Sequence, residues 1–354
     1  MPVWFGLLAE NRLRVSPEGL GLLATVTALS AFNSLAGPMS DARFARRLRS
    51  RKPHPAPLFI VGHWRSGTTL LHELMMLDEE FCCPNTYQCF VPGHFLLTES
   101  VLTWVMSGLI PPKRPMDDVA AGWDRPQEDE FALMNMGAPS PYRRMAFPAT
   151  APDHPEALDL LKLSQAERDR WKRAMNRFLV LLSARDPRRP VLKSPPHTAR
   201  IGDLSELFPE ARFLHIVRDP FVVFPSTVRL WRSLHAVQAL QRDRLETIEP
   251  YVFNAFDEMY GAFERDRGAV GSRLHEVRYE SLVADPVATL STTYEALGLG
   301  DFGRMRPALE RHVASMRTYR TNRYEIDPDF AGRIAAHCDS FIKRYGYETA
   351  APTS

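Results

Sequence analysis

Short apolar runs alternate with amphipathic segments along much of the chain, and this pattern predicts the secondary structure. Compact runs rich in Val, Ile, Leu and Phe predict buried strands over residues 58–61, 191–192, 212–217 and 274–279. Apolar residues at helical spacing predict helices from Gly67 onward and over 170–185, 198–208, 221–235 and 286–297. Strands that alternate with helices indicate an α/β fold: a P-loop-type, doubly wound parallel sheet with helices on both faces.

Two further regions depart from this alternation. Residues 1–52 form an N-terminal helical segment, which Pro53, Pro55 and Pro57 separate from a single α/β domain over 53–354. Within that domain, residues from about 81 to 165 are rich in Pro, Met and aromatic side chains and show no clean period. We expect this insertion to cover the carboxyl edge of the sheet, where open α/β folds bind their ligands.

The N-terminal segment contains an amphipathic helix. Ser16 and Pro17 suit a helix start, residues 19–40 carry no charge, and six basic residues follow between positions 43 and 52. Such a helix either packs on its own domain with a solvated basic flank or holds the protein loosely on an anionic membrane through residues 16–52. We favour the packed helix and keep the membrane contact as the alternative.

A phosphate-binding loop follows the first predicted strand. The stretch from Gly62 to Thr69 reads GHWRSGTT and lies between a strand and a helix, which is the context that such a loop requires. Its glycine spacing matches that of nucleotide-triphosphate loops, but Thr68 occupies the lysine position and Arg65 supplies the positive charge instead. Because the third strand is followed by Arg218 rather than by an acid, we expect no metal and no Mg²⁺-bound γ-phosphate.

These residues resemble the sulfotransferases that use 3′-phosphoadenosine-5′-phosphosulfate (PAPS), above all a bacterial-type branch with the same GHWRSGTT loop. The resemblance runs from about residue 57 to 300 and rests on three motifs in order: the loop, Arg218 with Ser226, and the stretch RYESL that contains Tyr279. It implies PAPS as donor, with these cofactor-binding residues: Arg65, Ser66, Gly67, Thr68 and Thr69 at the 5′-phosphosulfate, Arg218 and Ser226 at the 3′-phosphate, Tyr279 near the adenine, and Arg320 in a basic C-terminal loop.

The transfer step needs cations at the breaking bond and a base for the acceptor. Arg65 and Lys193, which follows the second strand, are the candidate cations near the bridging oxygen. A neutral imidazole suits proton removal near neutral pH, so His197 is our first candidate base. Glu130 and then Glu128 are the rivals, from a run of three acids in which at least one is expected to serve only the start of a helix.

Net charge and cysteine content bear on the partners and the cellular compartment that we expect for this protein. With 44 basic and 42 acidic residues the net charge is +2, which gives no general reason to expect a nucleic-acid partner. Three of the four cysteines crowd between Cys82 and Cys89, unlike the dispersed pattern of a disulfide scaffold. Since the first residues also lack the pattern of a secretory signal, we expect a cytoplasmic protein, with membrane association as the alternative above.

The sequence therefore predicts an enzyme that transfers a sulfuryl group from PAPS by in-line displacement to a hydroxyl, or less readily to an amine, of a small or lipid-like acceptor. Two alternatives stay open at this point. A P-loop kinase of small molecules is disfavoured by the displaced lysine and the missing metal carboxylate. A nucleotide-fold binding protein without activity is disfavoured because Lys193 and candidate bases are present.

Overall fold

A five-stranded parallel sheet organises the chain in the computed structural model, which describes residues 2–105, 122–152, 155–242, 244–315 and 326–348. The strands, in chain order, are β1 (Leu58–Val61), β2 (Phe81–Cys82), β3 (Arg189–Lys193), β4 (Arg212–Val217) and β5 (Leu274–Arg278). They are hydrogen-bonded in the order β2-β3-β1-β4-β5, and every pair is parallel. This confirms the predicted α/β fold.

Helices account for most of the remaining described residues. The α-helices are Pro2–Glu10, Leu20–Ser50, Thr68–Met75, Thr86–Phe90, Phe95–Val105, Asp129–Asn135, Arg143–Ala146, Gln165–Arg185, Ile201–Leu207, Pro220–Gln238, Ile248–Val270, Tyr279–Ala284, Pro286–Leu297, Phe302–Ser315, Pro328–His337 and Asp339–Tyr345. Short 3-10 turns are Pro17–Gly19, Leu160–Lys162, Pro195–Arg200, Leu245–Thr247 and Gly271–Arg273.

Several predicted boundaries differ from the structure by a few residues, and one strand is additional; the helix predicted over 170–185, for example, begins at Gln165. The helix predicted over 198–208 is preceded by a 3-10 turn, Pro195–Arg200, and becomes α-helical only at Ile201. The last predicted strand ends at Arg278, and Tyr279 already begins a helix. The edge strand β2 has two residues, so it is too short to show any periodicity in the sequence.

The sheet is covered on both faces, which explains why its strands are almost continuously apolar. Successive residues of β1 point to opposite faces: Phe59 and Val61 join one core, and Leu58 and Ile60 join the other. The first core is completed by the helices Gln165–Arg185, Ile201–Leu207, Pro220–Gln238 and Ile248–Val270. The second is completed by Thr68–Met75, Tyr279–Ala284, Pro286–Leu297 and Phe302–Ser315.

Strands β1 and β4 are neighbours in the sheet, but the chain leaves them toward opposite faces. The helix after β1, Thr68–Met75, packs on one face, and the helix after β4, Pro220–Gln238, packs on the other. Connections that leave adjacent strands in opposite directions open a crevice at the carboxyl ends of those strands, where doubly wound folds bind their ligands. The predicted phosphate loop and Arg218 both lie at this edge.

The long N-terminal helix Leu20–Ser50 lies along the domain. Trp4 Nε1 donates to Thr27 Oγ1 over 2.9 Å, and Asn33 hydrogen-bonds His94 over 2.9 Å. Farther along, Asp41 forms an ion pair with Arg177 of the helix Gln165–Arg185. Among the described residues, one helical stretch, Pro17–Ser50, is long enough for a membrane span and contains an 18-residue window with a mean hydropathy of 1.4.

The insertion after β2 is built from short helices rather than from one long element. Asn85 and Gln88 form a reciprocal capping box at the start of the helix Thr86–Phe90. The helices Phe95–Val105, Asp129–Asn135 and Arg143–Ala146 follow. Frequent prolines limit each helix to a few turns, so this region shows no sustained period in the sequence.

We expect Gly62→Ala to destabilise the fold by about 2 kcal/mol or more. The residue has φ +147°, and an added Cβ would lie 2.5 Å from the carbonyl oxygen of Ile216 on β4. Chemical denaturation followed by circular dichroism measures the change in unfolding free energy. The matched control is Gly261→Ala in the helix Ile248–Val270, where a Cβ meets no atom within 4 Å. This control should gain about 0.5–1 kcal/mol, and equal effects of both variants would contradict the prediction.

Candidate active site

The loop after β1 has the backbone of an anion site. Arg65 and Gly67 adopt positive φ values of 67° and 105°, and the helix starts at Thr68. Ser66 Oγ donates to the His63 carbonyl over 2.7 Å, and the Gly62 N–H donates to Thr198 Oγ1 over 2.8 Å. The first N–H groups of a helix have no acceptors within the helix, so this turn offers donors and a positive dipole end to an anion.

Residues far apart in sequence meet beside this loop. Arg65 Nε donates to Ser226 Oγ over 2.9 Å, and Arg218 Nη1 donates to the Arg65 carbonyl over 3.2 Å. The Arg218 guanidinium lies 4.0 Å from the centre of the Tyr279 ring. A Cβ on Gly67 would lie only 2.4 Å from that ring, so glycine permits the close approach.

The structure thus brings most of the sequence-predicted donor residues together at the carboxyl edge of the sheet. Arg65, Ser226, Arg218, Tyr279 and Gly67 are linked by direct contacts. Ser66 and Thr68 are buried within the same turn, and Thr69 is partly exposed at the start of the helix. Arg320 lies outside the described residues.

A second group of polar side chains lies at the end of β3. Lys193 Nζ donates to Glu128 Oε1 over 2.7 Å, and the ammonium is almost fully buried while Glu128 keeps 17% of its side chain exposed. Tyr142 donates its hydroxyl proton to Glu128 Oε2 and accepts a hydrogen bond of 3.1 Å from Trp64 Nε1. This network connects Lys193 and Glu128 to the phosphate loop, because Trp64 belongs to that loop.

Local electrostatics keep the neighbouring groups in defined protonation states. Burial and the adjacent Glu128 carboxylate raise the pKa of Tyr142 well above its usual value, so the phenol remains a donor. Burial, followed by the charge of Lys193, lowers the pKa of His72 to about 3. Burial lowers the pKa of His63 in the loop to about 4. Both imidazoles are therefore neutral near pH 7, so His72 adds no positive charge beside Lys193.

The three consecutive acids at the start of the helix Asp129–Asn135 have three different partners. Glu128 meets Lys193, whereas Asp129 accepts a 2.6 Å hydrogen bond from His197 Nε2. Glu130 binds Arg200 through both carboxylate oxygens, over 2.6 and 3.2 Å. The divergence arises because Glu128 is the N-cap residue with an extended backbone, whereas Asp129 and Glu130 are successive helical residues that point about 100° apart.

These three pairs differ in how much of their side chains is exposed to solvent. The side chains of His197, Asp129, Glu130 and Arg200 are fully enclosed. The His197 ring makes edge contacts with Phe59 and Trp171 of the core beneath the sheet edge. Of the three acids, Glu128 is the one with an exposed fraction, so it is the one that a substrate can reach in this conformation.

Sequence reasoning did not find Tyr142. It lies in the insertion, 78 residues from Trp64 and 14 from Glu128, and no motif surrounds it. Its contact with both residues depends on how the insertion folds over the loop, and the local sequence carries no signal for that arrangement.

Comparisons with known proteins indicate the family to which this chain belongs. A model of the sulfotransferase family matches residues 57–303. Omega-hydroxy-beta-dihydromenaquinone-9 sulfotransferase Stf3 from Mycobacterium bovis and from Mycobacterium tuberculosis is 38% identical over 350 residues, covering 99% of this chain and 90% of either relative.

Solved structures agree in fold. Sulfotransferase STF9 from Mycobacterium avium superposes with a TM-score of 0.76 at 17% identity, covering 97% of this chain and 90% of that one. STF1 from Mycobacterium tuberculosis superposes with a TM-score of 0.67 at 15% identity, covering 96% and 91%. With the family model spanning the sheet and both polar groups at its edge, this chain belongs to the sulfotransferase family.

Proposed function

We propose that this protein transfers a sulfuryl group from PAPS to the hydroxyl of a lipid-like acceptor. The observation that carries the proposal is the hydrogen-bonded link from the phosphate loop through Trp64 and Tyr142 to the Glu128–Lys193 pair. It puts a reachable carboxylate and a buried cation beside the anion site. Those are the two kinds of group that in-line transfer to a hydroxyl requires.

The donor would lie across the pocket at the carboxyl edge. The N–H groups at the start of the helix Thr68–Met75 suit the 5′-phosphosulfate. Arg218, Ser226 and Arg65 suit the 3′-phosphate, since two guanidinium groups and a hydroxyl adjoin one another there. The contact of Arg65 with Ser226 therefore favours a role for Arg65 at the 3′-phosphate in addition to the expected role near the bridging oxygen.

The adenine would lie near Tyr279, whose ring already packs on Arg218 and on Gly67. This part of the proposal follows the family motif, and the position of Tyr279 beside the loop supports it. Arg320 keeps its predicted role of covering the nucleotide from the C-terminal region.

We propose Glu128, rather than His197 or Glu130, as the base. In the step, the acceptor hydroxyl gives its proton to the Glu128 carboxylate while its oxygen bonds to sulfur. The bond from sulfur to the 5′-phosphate oxygen breaks, and adenosine 3′,5′-bisphosphate leaves. Lys193 stabilises the charge that gathers on the leaving oxygen. His197 and Glu130 are fully enclosed and paired, which supports a structural role for both.

Two observations support a lipid-like acceptor. The 38% identical relatives are named for a hydroxylated dihydromenaquinone as substrate. Next to Glu128, the Tyr142 ring lies 5.1 Å from Phe131, and Phe131 stacks on the exposed Phe90 at 5.4 Å. This row of aromatic rings, Phe90–Phe131–Tyr142, runs from the exposed Phe90 to the buried Tyr142, the partner of the base.

We expect Arg218→Ala to weaken binding of adenosine 3′,5′-bisphosphate by about 10- to 150-fold, since a charge-assisted contact contributes about 1.5–3 kcal/mol. Binding of adenosine 5′-phosphate, which lacks the 3′-phosphate, should change little. Isothermal titration calorimetry measures both affinities. The exposed Arg304→Ala serves as the control for loss of one positive charge. An equal loss for both nucleotides would remove Arg218 from the 3′-phosphate site.

We expect Glu128→Gln to lower turnover by about 10²- to 10⁴-fold, because the amide cannot accept the acceptor proton. Affinity for adenosine 3′,5′-bisphosphate should stay within about twofold, since Glu128 does not belong to the nucleotide pocket. Turnover is followed by mass spectrometry of the sulfated product.

Glu130→Gln is the control for this experiment. It leaves the Arg200 charge buried without a counter-ion, so it should cost about 3–5 kcal/mol of unfolding free energy. Near-normal turnover in Glu128→Gln, combined with a folded but inactive His197→Asn variant, would move the base to His197 and overturn the assignment of Glu128.

A further inference from the structure

The solvent side of the helix Leu20–Ser50 is apolar for most of its length. Phe32, Leu35 and Met39 recur at spacings of three and four residues, so they share one face, and all three are exposed. Leu35 has 71% of its surface accessible. Of the most apolar 18-residue window in this helix, 11% is buried against the domain. We call Phe32, Leu35 and Met39 the apolar face.

Basic residues continue this face toward the helix C-terminus. Arg43 lies one turn beyond Met39, Arg46 follows three residues later, and both are exposed. Between residues 19 and 52 the sequence has one acid, Asp41, and it is paired with Arg177 of the neighbouring helix. The helix thus presents apolar side chains followed by positive charge without a competing free carboxylate.

The adjoining helix Phe95–Val105 also exposes apolar side chains. Val101, Trp104 and Val105 are exposed, with Trp104 at 80%. This helix is joined to the first one where Phe32 makes an edge contact with His94, with ring centres 5.4 Å apart, and where His94 hydrogen-bonds Asn33. Exposed indole and aliphatic groups near a basic helix are typical of proteins that lie at a lipid interface.

We propose that the apolar face, with Arg43 and Arg46, docks the protein on an anionic lipid bilayer. The aliphatic and aromatic side chains enter the boundary between headgroups and acyl chains, and the arginines contact lipid phosphates. The helix lies on the membrane and does not span it, since Asn33, Asp41 and Arg47 bind the domain along the second half of the helix.

This surface also gives a lipid acceptor a way to the site, an extension that rests on the proposed function. The exposed Phe90 precedes His94 by four residues, and His94 contacts Phe32 on the apolar face. From Phe90 the row of aromatic rings leads inward to Tyr142 and its partner Glu128. An acceptor whose apolar tail remains in the bilayer would extend its hydroxyl along this row.

Co-sedimentation of the full-length protein with vesicles tests the docking surface. Vesicles of phosphatidylcholine alone are compared with vesicles that also contain phosphatidylglycerol, at low and high salt. We expect binding to the anionic vesicles, and we expect high salt to weaken it. Arg43→Glu/Arg46→Glu should lower the partition coefficient by about 30-fold or more, because each arginine near the surface contributes about 1 kcal/mol. Leu35→Asp/Met39→Asp should abolish binding at either salt concentration.

The control variants carry single substitutions of the same kind on other helices. Val283→Asp changes an exposed apolar residue on the helix Tyr279–Ala284, and Arg306→Glu changes an exposed arginine on the helix Phe302–Ser315. Both should bind vesicles like the unmodified chain. Absence of binding to anionic vesicles, or losses in the controls equal to those in the face variants, would overturn the proposal.

Two further measurements separate this proposal from its rivals. Sedimentation velocity detects a dimer; a dimer that Leu35→Asp/Met39→Asp dissociates, without vesicle binding by the unmodified chain, would assign the face to a second copy.

Turnover on a long-chain alcohol is measured in detergent micelles and in anionic vesicles. The variants Arg43→Glu/Arg46→Glu and Leu35→Asp/Met39→Asp should retain turnover in micelles and lose it in vesicles. Inactivity of the unmodified chain in both media, with vesicle binding intact, would count against the proposed function alone.

Discussion

The close approach of the loop after β1 to the neighbouring strand β4 is the constraint on which the rest of the site depends. Gly62 packs against the backbone at Ile216, and Gly67 packs against the ring of Tyr279, so neither position has room for a side chain. With the loop drawn onto this edge, Arg65 reaches Ser226, and Arg218 reaches the Arg65 carbonyl. The edge at which the helices after β1 and β4 diverge thereby gathers guanidinium groups and backbone donors.

The charged side chains at the same edge are buried to different depths. Arg200 and Glu130 neutralise each other in the interior, and His197 with Asp129 fills the layer between Phe59 and Trp171. Lys193 and Glu128 end nearer the surface, where the carboxylate keeps some exposure. The enclosed pairs hold the start of the helix Asp129–Asn135 against the turn after β3, so Glu128 and Lys193 are positioned by contacts that are buried more deeply than they are.

The insertion and the N-terminal helix lie outside the sheet and contact each other. Tyr142 joins the insertion to the phosphate loop, and His94 joins the insertion to the long helix. Membership of the sulfotransferase family accounts for the sheet and the loop, since the family model covers 57–303. The long helix precedes that region and exposes an apolar face with arginines at its end. A bilayer-bound acceptor would explain why one chain combines these two parts.

The sequence by itself determined the parallel α/β fold and the loop over 62–69, because strand runs and glycine spacing are local properties of the chain. Arg218 and Ser226 were named from the family motif, and their role at the donor stays a prediction. Only the tertiary structure decided which of three adjacent acids is reachable, since each pairs with a residue 65 to 70 positions away. It also decided the role of Tyr142 and the position of β2, for neither has a periodic or motif signal. Charge partners and accessibility depend on how distant segments pack, and a linear pattern does not record that.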